Sequence, residues 1–510
     1  MDSLGHLVEG FGVALQPLNV ALALAGVGIG TFVGMLPGIG PINAIAILIP
    51  VTFAAGVPPE SALILLVGIY YGSQYGNSIS TILLNVPGTA SAVVTAIDGH
   101  AMTRAGRAGP ALAASAIASF VGGTFSIFGL VLFAPVLSEW AIRFGPAEYF
   151  ALMVFAFSAL SSFAGGSLLR ALASTGFGLW LATVGLDPNS AIPRYTFGRI
   201  ELLDGMDFVV VTIGLFAVSE VFQLLEDTEA GQATTRLTGR VMISARELAM
   251  TGWTMVRGAV VGFVVGVLPG AGSTIASFLA YSTEERVAGA DGSFGEGDIR
   301  GVAAPEAANN ASVNGALIPL LTLGVPGSGT TAVLLGALLG LGITPGPLLL
   351  SEQPDLFWGL AASMYVGNAF LLLLNLPLVG FFVRALTIPR WILIPGVAAL
   401  AFVAVYAVAG SSFDLVLMTL FGVVGYVMRK LDFPLAPVIL GLVLGPLMEK
   451  NLRRAMALSG GEWGVLFDSP IAITLWVLAA ASLAGPLALR ALARRSGSGV
   501  PTRPEGGAGI

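Results

Sequence analysis

The sequence predicts an all-α polytopic membrane protein made of two inverted-topology repeats, whose helices are broken inside the bilayer and in places turn back as re-entrant hairpins. Three observations predict it: an apolar composition, a pair of Pro-Gly motifs that occurs twice in the same order, and a loop charge pattern that reverses between the two halves.

The chain of 510 residues is 55% hydrophobic and only 10% charged, with a mean hydropathy of +0.89, whereas soluble domains carry about 25% charged residues. Apolar stretches long enough to cross a hydrocarbon core of ~30 Å lie at 11–33, 110–138, 146–164, 206–225, 356–383, 391–410 and 468–489. With the shorter runs added, about 10–14 membrane segments are expected. The chain has 68 Gly and 29 Pro, so many helices should be kinked or interrupted. Lipid tolerates this only where protein or water re-satisfies the freed backbone groups. No Cys is present, which excludes disulfides and thiolate chemistry, and the two His, His6 and His100, leave little for imidazole catalysis. The net charge of -6 comes with no basic stripe for nucleic acid. MDSLGHLVEG has no basic n-region, so the first apolar segment is expected to be retained rather than cleaved.

The duplication rests on GTFVGMLPGIG (30–40) and GFVVGVLPGAG (262–272), which share Gly, Val, Gly, Leu, Pro, Gly and Gly at equivalent positions. A second pair follows in order, LLNVPGT (83–89) and TLGVPGS (322–328). Lys and Arg in short loops mark the cytoplasmic side. The C-terminal Arg490, Arg494 and Arg495, then Arg429 and Lys430, then Arg384 and Arg390, fall inside by alternation, while Arg104 and Arg107 precede the corresponding segment of the first half. The two halves therefore point in opposite directions, with the N-terminus periplasmic and the C-terminus cytoplasmic. Lys450, Arg453 and Arg454 do not fit this count, which suggests that 433–448 is re-entrant. The expected organisation is a first repeat over 1–225, a polar cytoplasmic linker over 226–256, a second repeat over 257–450, a C-terminal membrane segment over 451–495 and a Gly/Ser/Pro-rich tail over 496–510.

Pro lacks an amide donor and Gly accepts backbone conformations closed to other residues, so LPGxG stops one helix and lets another begin. A helix starting there presents free N–H groups to an anion such as a carboxylate. The breaks give Pro37, Gly38, Gly40, Pro87, Gly88 and Thr89 as candidate binding positions in the first half, and Pro269, Gly270, Gly272, Pro326 and Gly327 in the second. Polar, uncharged residues flank them: Asn43, Ser73, Asn77 and Ser78, then Ser273, Thr274, Asn309, Asn310, Ser312, Asn314, Ser328 and Thr330. Singly, such hydroxyls often bond back to their own helix; as clusters beside all four breaks they are expected to line a wet cavity, with Na⁺ near Asn309, Asn310 and Asn314. Between Thr31 and Ile97 the sole charged residue is Glu60, so amides, hydroxyls and helix ends must bind an anion in the first half. Glu306 has two readings, an intramembrane carboxylate for ion coupling or an aqueous first-turn residue favourable to the helix dipole. Asp98, Arg104 and Arg107 read as a solvated loop, and Glu220 is left as either a buried partner or an interfacial residue. No triad, metal-ligand cluster or GK[ST] phosphate loop is present, so no cofactor is expected, and an enzyme or ATP-driven pump is disfavoured. A passive channel would use similar broken helices.

The stretches GMLPGIGPINAIAILIPVTF, YYGSQYGNSISTILLNVPGTASAVVTAIDGHAMTRAGRAGPAL, GVLPGAGSTIASFLAYSTEER and GVAAPEAANNASVNGALIPLLTLGVPGSGTTAVLLGALLGLGITPGPLL resemble the large membrane subunit of bacterial tripartite tricarboxylate transporters, over about 20–450. The resemblance implies a binding-protein-dependent secondary transporter of the inner membrane that imports a di- or tricarboxylate or related organic acid, without ATP, on a Na⁺ or H⁺ gradient. It further implies a periplasmic solute-binding receptor and a small membrane subunit of about four helices as partners. Analogy with other inverted-repeat carboxylate carriers adds an elevator-like motion.

Overall fold

The computed structural model describes residues 3–36, 40–163, 167–226, 241–385 and 390–495. In chain order the helices of the first half are α1 (Ser3–Ala14), α2 (Pro17–Met35), α3 (Pro41–Ala54), α4 (Pro59–Leu84), α5 (Val93–Arg104), α6 (Ala108–Ala141), α7 (Pro146–Phe163), α8 (Leu168–Leu181), α9 (Phe208–Ile213) and α10 (Ser219–Glu226). The second half contains α11 (Ala245–Val267), α12 (Gly272–Ala288), α13 (Arg300–Leu323), α14 (Gly329–Gly340), α15 (Leu349–Glu352), α16 (Pro354–Asn375), α17 (Val379–Ala385), α18 (Arg390–Ala409), α19 (Ser412–Lys430), α20 (Ala436–Leu458) and α21 (Pro470–Arg495). Among the described residues seven helices are long and apolar enough to cross a membrane, with five shorter apolar helices beside them. The protein is a polytopic all-α membrane protein.

Proline sets many of the boundaries. It occupies the first turn of α2, α3, α4 and α16, where its missing N–H costs nothing and its fixed φ suits the helix. This corrects the expected span 11–33, which breaks before Pro17 into α1 and α2. The expected span 356–383 likewise divides into α16 and α17. α9 and α10 are joined through a π-helical turn, Gly214–Val218, so Phe208–Glu226 forms one continuous rod across most of the expected span 206–225. The polar stretch expected as a linker is helical from Ala245 onward, because Ser244 and Glu247 form a reciprocal capping box. Residues 227–240 and the tail 496–510 lie outside the described residues.

Two seams without side chains organise the centre. Gly26, Gly30 and Gly34 of α2 lie against the backbone of Leu65, Ile69 and Ser73 of α4, and Gly258, Gly262 and Gly266 of α11 lie against Ala304, Ala308 and Ser312 of α13. An added Cβ at any of these glycines would strike a carbonyl oxygen. This small-residue packing holds helices together in lipid, where apolar burial supplies no net drive. The ascending order of partners makes α2 parallel to α4 and α11 parallel to α13. The single helix between each pair, α3 or α12, must therefore run back, which makes α2–α3 and α11–α12 helical hairpins.

The seamed pairs oppose each other. Ser119 and Ser126 of α6 bond Glu306 and Asn314 of α13, so α6 runs with α13. Tyr71 of α4 bonds that same Asn314, while Ser78 of α4 meets Ser115 near the start of α6, so α4 runs against both. α16 closes the other flank: Tyr75 donates to Asn368 Oδ1 at 2.5 Å.

α20 runs as one unbroken helix, Ala436–Leu458, past the end of the 433–448 stretch expected to be re-entrant. At its far end Arg453 donates to Asp187 at 2.7 Å, and Arg194 donates to Glu449 at 3.0 Å. These acids belong to α20 itself and to a loop that includes a two-stranded hairpin, Gly185–Leu186 against Pro193–Arg194. Part of the basic charge that did not fit the loop count is thus neutralised where it stands.

Candidate functional site

Each half repeats the same pair of breaks at the level of the backbone. α2 leaves the helix at Leu36 (φ -79°, ψ 121°), and α11 does so at Leu268 (φ -77°, ψ 120°). α4 ends in the left-handed conformation at Asn85 (φ 57°) and α13 at Gly324 (φ 68°). Each Val-Pro-Gly turn then folds back onto the end of the first broken helix. A Cβ on Gly88 would strike Gly34 O, and one on Gly327 would meet Gly266 O at 3.3 Å. In the second half the breaks are bonded directly, Gly270 N donating to Gly327 O at 2.9 Å. Gly270, at φ +82°, is pressed against the backbone of Ala159 and Leu160 in α7, a position that no other residue fills without strain. Pro37 and Gly38 lie outside the described residues; Gly40 caps α3, and Gly272, at φ +63°, opens α12.

The polar residues beside the breaks divide into two sets. Ser73, Ser78 and Ser312 donate to their own helix carbonyls at Tyr70, Tyr75 and Asn309, and Asn314 is fully engaged with Tyr71, Gly123 O and Ser126. These hold helices together rather than line a cavity. Asn43 is drawn to Glu220. The others face the breaks. Asn77 donates to Thr89 Oγ1 at 2.7 Å, and Thr89 meets Ser91 at 2.9 Å, in the 3₁₀ turn Ala90–Ala92 that precedes α5. Ser328 caps α14 through a reciprocal bond with Thr331, and Tyr70 reaches Ser328 and Thr330 from α4. Ser273 and Thr274 are half-buried in the first turn of α12.

Three amides in this region have buried atoms without a partner among the described residues: both side-chain polar atoms of Asn309, Oδ1 of Asn310 and Oδ1 of Asn77. Buried polar groups are nearly always bonded, so leaving these open in a low-dielectric interior is costly unless something else occupies them. α13, which carries Asn309 and Asn310, packs against the 3₁₀ turn after the first Val-Pro-Gly, and so does α12. Asn77 itself bonds Thr89 at the start of that turn, so the open amides lie on helices that meet there.

Glu306 lies in the second turn of α13 and is 0% exposed, which removes the aqueous first-turn reading. Thr95 donates to Oε1 at 2.7 Å and Ser119 to Oε2 at 3.3 Å. Two other expectations change. Asp98 is not a solvated loop residue: it is 0% exposed and accepts bonds from Tyr281 and from the amides of Gly295, Gly297 and Asp298, all within 2.9 Å. It pins the 292–299 turn to α5. Glu220 resolves as a buried partner, bonded to Arg429 of α19. In that turn Asp298 is held below the usual carboxylate range; burial opposes this, but bonds from Arg300 and from the amides of Arg300 and Ser293 prevail.

A cavity of about 460 Å³ opens beside the first Val-Pro-Gly, lined by Asn85, Pro87, Val93, Ile97, His100 and Arg104 among others. Arg104 is exposed there. The sequence reading missed Tyr70, Tyr71, Tyr75, Thr95, Ser115, Ser119 and Asn368. The three phenols spaced along α4 at 70, 71 and 75, and the Ser115/Ser119 pair at one-turn spacing, were the signals that could have found them.

Residues 20–440 match the family model described as the tripartite tricarboxylate transporter TctA family. An uncharacterised 52.8 kDa protein of the TAR-I ttuC′ 3′ region of Agrobacterium vitis is 44% identical over 475 residues, covering 93% of this chain and 94% of its own. An uncharacterised protein of the TAR-II ttuC′ 3′ region of the same organism is 46% identical over 214 residues, 42% of this chain and 88% of its own.

Proposed function

The chain belongs to the tripartite tricarboxylate transporter TctA family, and from that premise we propose that it is the large subunit of a secondary transporter that imports a di- or tricarboxylate or related organic acid by alternating access. The family supports a transport role rather than an enzymatic one. The inner membrane as location, a periplasmic solute-binding receptor and a small membrane subunit as partners, and an ion gradient as driving force are parts of the same reading.

One observation carries it: the buried side-chain amide of Asn309, on the helix α13 that packs against the turn after the first Val-Pro-Gly, has neither polar atom partnered among the described residues. Substrate carboxylate oxygens would meet the Asn309 amide donor and the free N–H groups of the helix starts there, with no Arg needed, while the open Oδ1 atoms of Asn77 and Asn310 would accept from a hydroxyl or a cation. His100 and Arg104, in the adjoining cavity, would draw the anion onward to the cytoplasm. The opposed directions of the α2/α4 and α11/α13 pairs support inverted repeats, and their side-chain-free seams suit rigid-body motion of the elevator kind.

The test is uptake of a radiolabelled carboxylate panel, beginning with citrate, into proteoliposomes holding this chain and its small subunit, with and without receptor and an inward ion gradient. Uphill, receptor-dependent accumulation supports the reading. Equilibration indifferent to both makes the protein a channel.

A further inference from the structure

Glu306 presents a problem of charge. Its carboxyl is fully buried, and among the described residues no basic side chain bonds it. The ionisable groups on the elements packed against α13 are engaged elsewhere or face outward. On α5, Asp98 is held by Tyr281 and three amides, His100 bonds Ile82 O and Arg104 is exposed. At the start of α6, Arg107 pairs with Glu247 of α11; on α11, Arg257 pairs with Glu284 of α12. Arg300 pairs with Asp298. On α4, Tyr71 and Tyr75 bond Asn314 and Asn368. Glu139, Arg246, Glu285, Arg286 and Glu352 lie at or near helix ends of α6, α11, α12 and α15. An ionised carboxylate at Glu306 would have neutral hydroxyls alone for company, a costly state inside a membrane.

The hydrogen bonds indicate what neutralises it. Ser115 also lies beside the carboxyl, but its proton is committed to Ser78 Oγ at 2.8 Å, and that of Ser78 to Tyr75 O at 2.8 Å. Thr95 donates to the carboxyl at 2.7 Å and Ser119 at 3.3 Å. Among the described residues no basic side chain stands among these hydroxyls, so a proton on the carboxyl itself is the neutralisation open to it.

We propose that Glu306 is a proton-binding site, loaded as the neutral acid, and that this proton is the coupling ion. The transport consequence rests on the function proposed above; the protonation itself does not. The site joins α13 of one half to α5 and α6 of the other, so a change from 0 to -1 at this point falls on an interface between the halves. With the proton gone, the buried negative charge opposes any movement of this core through the bilayer. Movement is then permitted to the loaded form.

Infrared difference spectroscopy on the full-length chain in nanodiscs tests the site without transport. The protonated-carboxyl stretch should be present in wild type, absent in Glu306→Gln and lost on raising the pH. It should not respond to exchanging Na⁺ for choline. Absence of a Glu306-dependent band at every pH, or its loss on adding Na⁺ at fixed pH, overturns the proposal. In proteoliposomes Glu306→Gln, fixed in the neutral form, should retain substrate exchange and lose accumulation driven by a pH gradient. Unimpaired accumulation, or loss of exchange in correctly folded protein, overturns the coupling role. A wild-type protein that moves no carboxylate would refute the transporter reading, and the infrared band alone would then decide whether Glu306 holds a proton.

Discussion

Tyr71 of α4 donates its phenolic hydrogen to Asn314 of α13, a residue 243 positions away, and Asn314 passes the connection to Gly123 and Ser126 of α6. One amide of the second half thus ties together two helices of the first. Tyr71→Phe leaves a buried oxygen unpaired and should cost about 1–3 kcal/mol. Asn314→Ala, which breaks all three bonds, should cost more. Unfolding midpoints in detergent would measure both; two wild-type midpoints would refute the role assigned to this amide.

The glycine seams predict a sharp positional contrast. A Cβ on Gly262 would strike Ala308 O, and one on Gly30 would strike Ile69 O, whereas Gly28, two residues earlier in α2, has nothing within 4 Å. Gly30→Ala and Gly262→Ala must push helices apart and should cost about 1–3 kcal/mol each; Gly28→Ala should be neutral or slightly stabilising. Membrane abundance and thermal stability, compared across the three, decide it.

The open amides should separate function from stability. Asn309→Ala removes no side-chain hydrogen bond from the resting protein, so abundance should hold while uptake falls by about tenfold or more, the effect of losing ~1.4 kcal/mol or more of binding. Asn310→Ala should behave similarly, though it also gives up a bond to Glu306 O. Ser78→Ala should do the reverse, because Ser78 links Ser115 to the Tyr75 carbonyl. Normal transport by Asn309→Ala would move the binding site elsewhere.

The loop over 185–207 should resist acid. Asp187 is held well below the usual carboxylate range by the amides of Ser190 and Asn189, with Arg453 adding to it. A carboxylate whose folded value is depressed contributes stability above its unfolded value, near 3.9, and loses it as pH falls through the lower folded value. Hydrogen exchange of this loop should therefore be unchanged down to about pH 4, and Asp187→Asn should expose it at neutral pH. Equal protection in the variant would show that the cluster does not hold the loop.

Much of the architecture could be read from Pro and Gly, because the lesions they impose are local. LPG and VPG name their own backbone geometry, and a repeated lesion at a repeated spacing reproduced the same dihedral angles at Leu36 and Leu268. What escaped was set by partners distant in the chain. Asp98 looked solvated beside two arginines; nothing nearby in sequence announces Tyr281 or the amides of 295–298. Ser73 and Asn309 are equally polar in a sequence, and the packing of other helices decides which is satisfied within its own helix and which is left open. Hydropathy likewise merged α1 with α2, since an apolar run does not reveal that Pro17 begins a new helix inside it.

The phenols of α4 also impose a timetable on synthesis. Tyr71 waits for a residue 243 positions downstream and Tyr75 for one 293 positions downstream. At 5–20 residues per second, the ribosome takes roughly 15–60 s to deliver the later partner. During that interval the first half resides in the bilayer with buried polar groups unpaired, at the stage when a nascent chain is most exposed to quality-control proteases. A chain released before α16 emerges never acquires Asn368, so early termination products should be cleared rather than accumulate as stable half-proteins.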